Sequence, residues 1–192
     1  MQGSYNRGEA TPKSDIDLIV ILETITFENL KTYKNIINSM PYKEKACGFI
    51  SGKKEIQNWS KSDLFQFYYD TKPLYGKLSE IIAPPSQKDI ERAVKSGFET
   101  IYHSASHSYL HSQNPKSDLI SLYKMAFFLL QAKYFINKQK YIPTKNDLVK
   151  LLDKADKSIL EICINNTEIN TKRTDELDLL YSQIIKWSQN NI

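Results

Sequence analysis

The chain has 192 residues, of which 41% are hydrophobic and 25% charged, and this composition excludes an intrinsically disordered protein. Its longest apolar runs, Leu18–Leu22 and Met125–Leu130, fall short of the ~20 residues that a membrane span needs, and the sequence begins without a basic-then-apolar leader. On these two grounds we expect a cytoplasmic protein with no membrane contact. The net charge is +4 with only three arginines, so we expect no extended nucleic-acid surface.

The first eighty or so residues have a mixed α/β pattern. The run from Asp15 begins polar and then becomes apolar and β-branched, which is typical of a central strand with one open end. Proline at position 41 ends the following helical pattern. The predicted elements are a strand at Asp15–Leu22, a helix at Asn29–Met40, a strand at Lys45–Ser51 before a turn at Gly52, and a short buried helix at Ser62–Tyr69.

The second half of the chain has helical periodicity throughout. Ala83–Ser86 predicts a linker, because its two prolines cannot continue a helix and its serine can cap the next one. The predicted helices are Lys88–His111, Asp118–Lys138, Lys145–Asp153 with Lys157–Ile164, and Thr174–Asn190. We therefore predict an α+β protein with a small mixed-sheet lobe at residues 1–83 and an all-helical bundle lobe at residues 84–192.

A polar segment before the first strand carries the clearest chemical signal. Asp15 and Asp17 are one residue apart at the start of a strand, so their side chains are expected on the same face and can share a divalent cation. Hard oxygen ligands of this kind favour Mg²⁺, which takes its remaining ligands from water and phosphate. Gly3 and Ser4 offer backbone N–H groups that a phosphate can approach closely.

The order of these features resembles the signature of the polymerase-beta-like nucleotidyltransferase superfamily. The string from Gly3 to Val20 is similar to the form found in bacterial minimal nucleotidyltransferases and aminoglycoside adenylyltransferases. The resemblance implies that an acceptor hydroxyl attacks the α-phosphorus of a nucleoside triphosphate and releases pyrophosphate. It also implies that Asp15 and Asp17 bind Mg²⁺ and that Gly3 and Ser4 contact the β- and γ-phosphates.

The resemblance extends beyond the motif. Phe65–Gly76 is similar to the end of the family's catalytic domain, and Leu119–Leu152 resembles the helical substrate-binding lobe of adenylyltransferases. In those relatives a lysine in the Pro-Thr-Lys turn reaches the triphosphate. Lys145 is the corresponding candidate for nucleotide binding and Lys124 is the second. A site in a cleft between the two lobes is expected on this basis.

The sequence departs from the family pattern in two places. Family members carry a helix and a strand before the Gly-Ser loop, whereas only Met1 and Gln2 precede it here, so the strand from Asp15 is expected to lack one neighbour. A truncated chain, a misplaced start codon or a decayed gene would each explain this departure. The third carboxylate is expected near Ala46, where the predicted strand contains no acidic residue. Glu44, two residues earlier and on the same face by strand alternation, is the candidate for this catalytic role, and Glu55 is a poorer one.

Two other residue patterns indicate structural roles instead of catalytic or metal-binding ones. His103, His107 and His111 share one helical face but lack the glutamate of an H-E-x-x-H zinc site, and so predict a polar or bundle-facing stripe. Cys47 and Cys163 are too few and too far apart for a disulfide framework or a zinc ribbon, and we predict both to be buried.

The sequence predicts Mg²⁺-dependent transfer of a nucleotidyl group, AMP from ATP, to a hydroxyl of a small molecule or a protein. The alternative is a catalytically silent nucleotidyltransferase-like module that binds a partner in the manner of an antitoxin. A homodimer formed through an uncovered sheet edge is compatible with both.

Overall fold

The computed structural model describes residues 1–61 and 63–192, and it divides the chain into two compact units, Met1–Ser86 and Gln87–Ile192. The α+β class is confirmed. The strands are β1 (Ile16–Leu22) and β2 (Ala46–Gly52). The helices are α1 (Gly3–Arg7), α2 (Phe27–Ser39), α3 (Lys53–Gln57), α4 (Leu64–Tyr69), α5 (Gln87–His111), α6 (Pro115–Lys138), α7 (Lys145–Leu148), α8 (Lys154–Ile164) and α9 (Thr174–Gln189). Short 3₁₀ turns occupy Lys43–Lys45, Leu78–Glu80 and Asn166–Thr171.

The sheet of the N-terminal unit consists of β1 and β2, which run parallel in register from Ile16 opposite Ala46 to Leu22 opposite Gly52. Parallel strands need a crossover connection, and α2 supplies it. Gln2 adds one antiparallel bridge to Asp17. At Gly48 the backbone has φ +107 and a Cβ would overlap the carbonyl oxygen of Leu18, so the strand pairing requires glycine there.

The hydrophobic core of the N-terminal unit is small. Its buried cluster consists of Ile56, Leu64, Phe67 and Ile82. Partly buried side chains of β1 and β2 pack against this cluster, among them Ile19, Ile21 and Phe49. Helix α2 begins with a capping box in which Thr26 and Asn29 bond reciprocally, yet none of its residues is buried. Ser62, which the sequence places at the start of α4, lies outside the described residues.

The helical unit is built around α6, which contacts α5, α8 and α9. Tyr123 is fully buried on this helix and donates its hydroxyl to the carbonyl of Leu180 at 2.9 Å, and burial raises its pKa. By length and apolar composition alone α6 could cross a membrane, but its buried residues form the centre of the bundle. The apolar periodicity of this helix therefore reflects core packing.

A buried ion pair also links the helices of this unit. Lys133 on α6 contacts Asp156 on α8, and Trp187 on α9 donates its indole N–H to the same carboxylate at 2.8 Å. Asp153 caps α8 by accepting hydrogen bonds from the N–H groups of Ala155 and Asp156.

Candidate functional site

The Gly-Ser segment forms the short helix α1, where the sequence predicts a bend. Gly3 opens this helix with φ +75, a conformation that favours glycine, and Gly8 ends it in the left-handed region. Five residues are too few for a stable helix in isolation, so contacts with the rest of the unit must hold α1 in place. Helical periodicity cannot be read from so short a segment, which is why the sequence did not reveal it.

The structure places α1 directly against the start of β1. The backbone N–H of Gln2 donates to the carbonyl of Asp17 at 2.9 Å. A Cβ built on Gly3 would overlap the Oδ2 atom of Asp17, so only glycine allows this close approach. The structure therefore brings Gly3 next to the Asp17 carboxylate.

Asp15 and Asp17 are accessible and unneutralised. Asp15 is exposed and immediately precedes β1, and Asp17 is half-buried within it. In the part of the chain that the structure describes, neither carboxylate has a hydrogen bond or an ion pair. Two carboxylates of like charge so close in the chain repel each other, and a divalent cation would relieve that repulsion. Their oxygen donors fit Mg²⁺.

Glu44 lies in a different setting from the one predicted. It is exposed within the 3₁₀ turn Lys43–Lys45, so the side-chain alternation of β2 does not extend to it. The argument that placed Glu44 on one face with the strand residues therefore fails, and Glu55 lies beyond the other end of the strand, in α3. Among residues 1–61 and 63–192, no three His, Cys, Asp or Glu side chains form a group that could hold a metal ion.

The two residues predicted to contact phosphate differ in availability. The N–H of Gly3 already donates to the Oδ2 atom of Asp70 at 3.3 Å. The Ser4 hydroxyl makes no hydrogen bond within the described residues, and its side chain is half-buried. Ser4 is the better placed of the two to donate to a phosphate oxygen.

The two candidate lysines belong to the helical unit. Lys145 is the first residue of α7 and is half-buried, and its Nζ lies 5.0 Å from the ring centroid of Phe127. Lys124 is exposed on α6. The cation–π contact restrains Lys145, whereas Lys124 extends into solvent.

Sequence reasoning missed the ion pair that supports α1. Arg7 binds Asp70 through Nη1 and Glu9 through Nε, and the side chains of Arg7 and Asp70 are only 6% and 3% exposed. Arg7 and Glu9 lie inside the recognised motif, and Asp70 ends an aromatic run. No local pattern pairs residues 63 positions apart, so the sequence carried no signal for this contact.

The histidine stripe remains a polar face. His103, His107 and His111 are exposed on α5, with successive ring centroids 6.3 and 5.0 Å apart. Together with Asp118 they line a cavity of about 460 Å³ within the helical unit. Cys163 is buried as predicted, but Cys47 is exposed, because it lies near the start of β2, where the strand has no buried residue, opposite Asp17.

Comparison with known families bears on the N-terminal half of the chain. Residues 1–95 match a family model described as a nucleotidyltransferase domain. Neither a curated protein nor a solved structure gives a significant match. The match covers α1, both strands, Asp15 and Asp17, and it ends within α5.

Proposed function

Residues 1–95 belong to the nucleotidyltransferase domain family of the polymerase-beta-like superfamily, and on that premise we propose that the chain transfers AMP from ATP to an acceptor hydroxyl in a Mg²⁺-dependent reaction. The acceptor is a small molecule or a protein. In this reaction the hydroxyl oxygen bonds to the α-phosphorus, the bond from the α-phosphorus to the bridging oxygen breaks, and pyrophosphate leaves. The hydroxyl proton passes to solvent or to a nearby base.

One observation carries the proposal. The carboxylate of Asp17 lies against Gly3 without room for a Cβ, and it has no partner within the described residues. An acidic side chain that is half-buried and unpaired indicates a role other than stability, because burying an unpaired charge is unfavourable. The other acidic residues close to α1, Glu9 and Asp70, are both paired with Arg7.

Each residue has a distinct part in the proposed reaction. Asp15 and Asp17 bind the cation, which when present would neutralise charge on the attacking and leaving oxygens. Ser4 donates to a phosphate oxygen, and Gly3, which has no Cβ, lets α1 lie directly against the Asp17 carboxylate. Lys145, with Lys124 as the second candidate, offers a positive charge to the triphosphate.

Calorimetry with a non-hydrolysable ATP analogue tests the proposal. We expect binding that strengthens when Mg²⁺ is added, and loss of this Mg²⁺ effect in Asp15→Asn and Asp17→Asn, because each change removes a negative ligand. Asp178→Asn is the matched control, since Asp178 is exposed on α9 and its change should leave binding unaltered. Affinity that is the same with and without Mg²⁺ would refute the metal-dependent mechanism.

The two lysines are distinguished in the same assay. Lys145→Met should weaken binding of the analogue by about tenfold if its charge contacts phosphate, the equivalent of one charged hydrogen bond. Lys124→Met is the comparison, and it should have the smaller effect because Lys124 is exposed and unrestrained. Equal affinities in both variants and the unmodified chain would remove both lysines from the site.

A catalytically silent binding module is the second candidate, and the setting of Glu44 favours it. Strand β2 contains no acidic residue, and Glu44 lies in a 3₁₀ turn before it. A site with two carboxylates can bind a cation and a nucleotide but lacks the third acidic group of the family. Mg²⁺-dependent binding of the analogue without release of pyrophosphate from ATP would identify this module. Measured release, and its loss in Glu44→Gln, would instead identify the enzyme.

A further inference from the structure

A buried polar network lies behind α1, on residues outside the proposed set of metal and nucleotide ligands. Its centre is the carboxylate of Asp70, which follows α4 and is 3% exposed. The Oδ2 atom of Asp70 accepts hydrogen bonds from the Arg7 guanidinium and from the backbone N–H of Gly3. One oxygen therefore contacts both ends of the five-residue helix α1.

Further hydrogen bonds align the same two segments. The side-chain amide of Asn6 donates to the backbone carbonyl of Asp70 at 2.6 Å. The N–H of Lys72 donates to the carbonyl of Met1 at 2.9 Å. Residues 1–7 are thus fixed to the segment that follows α4 at several points along their length.

Gly3 is held between two aspartates that have different surroundings. Asp70 accepts its N–H on one side, and on the other side the carboxylate of Asp17 lies where a Cβ would be. Asp70 is buried and paired, whereas Asp17 has no partner within the described residues. This contrast indicates that Asp70 maintains the geometry while Asp17 is left available for a ligand.

We propose that Asp70, together with Arg7, is a positioning residue that holds Gly3 and Ser4 beside Asp17 for the triphosphate of a nucleotide. The inference rests on the proposed function, because it names what keeps that site in shape. Asp70 itself does not contact the nucleotide. A buried ion pair contributes little net stability compared with apolar residues of similar volume, so its geometry is the property to test.

Two variants at position 70 distinguish the loss of the hydrogen-bond acceptor from the loss of the negative charge. Asp70→Asn and Asp70→Leu both remove the negative charge, and in both the Arg7 guanidinium keeps its contact with Glu9. Asparagine retains an oxygen that can accept the N–H of Gly3, whereas leucine has none. Thr26→Ala is the control, since it weakens the N-terminal unit at α2 without touching α1.

The first measurement is the Kd of the ATP analogue with Mg²⁺, taken where circular dichroism shows each variant folded. We expect Asp70→Leu to raise the Kd by at least about tenfold. This is the effect expected when one charged hydrogen bond is lost and α1 is displaced. Asp70→Asn should remain within about threefold of the unmodified chain, and Thr26→Ala should leave the Kd unchanged. An unchanged Kd in Asp70→Leu would overturn the positioning role and leave the proposed function intact.

The second measurement needs no nucleotide. Amide hydrogen exchange at Gly3, followed by NMR, should become faster in Asp70→Leu and not in Thr26→Ala. Unchanged exchange would overturn the positioning role whatever the binding data show. If the unmodified chain fails to bind the analogue, the proposed function fails, and with it the site that Asp70 would serve.

Discussion

The two units of this chain are stabilised in different ways. The helical unit has a continuous apolar core drawn from α5, α6, α8 and α9, whereas among residues 1–61 and 63–86 the core cluster of the N-terminal unit has four buried side chains. The N-terminal unit also has buried polar contacts, above all those between Arg7 and Asp70, which fix its geometry and add little net stability. The part that carries the candidate site thus has the smaller reserve of hydrophobic stability, as regions that bind ligands often do.

The largest expected effect is in the core of the helical unit. Phe127→Ala should lower the free energy of unfolding by about 3–5 kcal/mol, because it removes a fully buried ring and leaves a cavity. Denaturant unfolding followed by circular dichroism measures the change. Met125→Ala on the same helix is the control, and its loss should stay within ~0.5 kcal/mol because Met125 is exposed.

A similar cavity in the N-terminal unit should remove a larger share of that unit's stability, although its cost in free energy is no greater. Leu64→Ala should cost about 2–5 kcal/mol, which is a large share of what a four-residue core cluster can supply. We expect hydrogen exchange by mass spectrometry to show peptides from residues 1–86 losing protection while those of α5–α9 keep it. Equal loss in both units would contradict the comparison. Leu74→Ala, which removes a side chain that is 66% exposed, is the matched control.

Helix caps allow a smaller, matched test in both units. Thr26→Ala at α2 and Asp153→Ala at α8 should each cost about 1 kcal/mol, because each leaves N–H groups of the first turn without a partner. The same exchange experiment locates the loss. Because α2 has no buried residue, Thr26→Ala should loosen α2 locally, and Asp153→Ala should weaken the bundle as a whole. The reverse distribution would show that α2 contributes more to its unit than its burial suggests.

The smallest expected effect depends on pH. The N–H of Arg173 bonds to Glu176 at the start of α9, and this bond, with Lys172 nearby, holds the pKa of the Glu176 carboxyl below its ordinary value. A carboxyl whose pKa is lowered by folding contributes stability above its unfolded pKa of about 4.3, and that contribution is lost as the pH falls from there through the lowered pKa of the folded state. Glu176→Gln should therefore flatten the dependence of Tm on pH over this range. Asp178→Asn, which changes an exposed carboxylate on the same helix, should not flatten it.

Features fixed by local sequence were predictable. The long helices α5, α6 and α9 begin and end within about three residues of the positions that periodicity and capping indicate, because each pattern repeats over many turns. Both strands were predicted within one residue. The sequence motif that names Asp15, Asp17 and the Gly-Ser segment lies within residues 1–95, which match the nucleotidyltransferase domain model.

Features fixed by distant contacts were not predictable. Helix α1 exists because residues 66–72 hold it, and nothing near Gly3 indicates that. Glu44 was placed by extending strand alternation two residues beyond β2, where the backbone in fact turns. Both errors have the same cause. The residue pattern of a segment contains no information about the distant residues that pack against it.

The exposed thiol of Cys47 can be labelled selectively. It stands across the strand pair from Asp17, while the other cysteine, Cys163, is buried within the bundle. A maleimide dye should therefore attach at a single native position, on the strand beside Asp17, without prior mutagenesis. Its emission would report local occupancy, and slower labelling in the presence of a bound ligand would map the footprint of that ligand on the sheet.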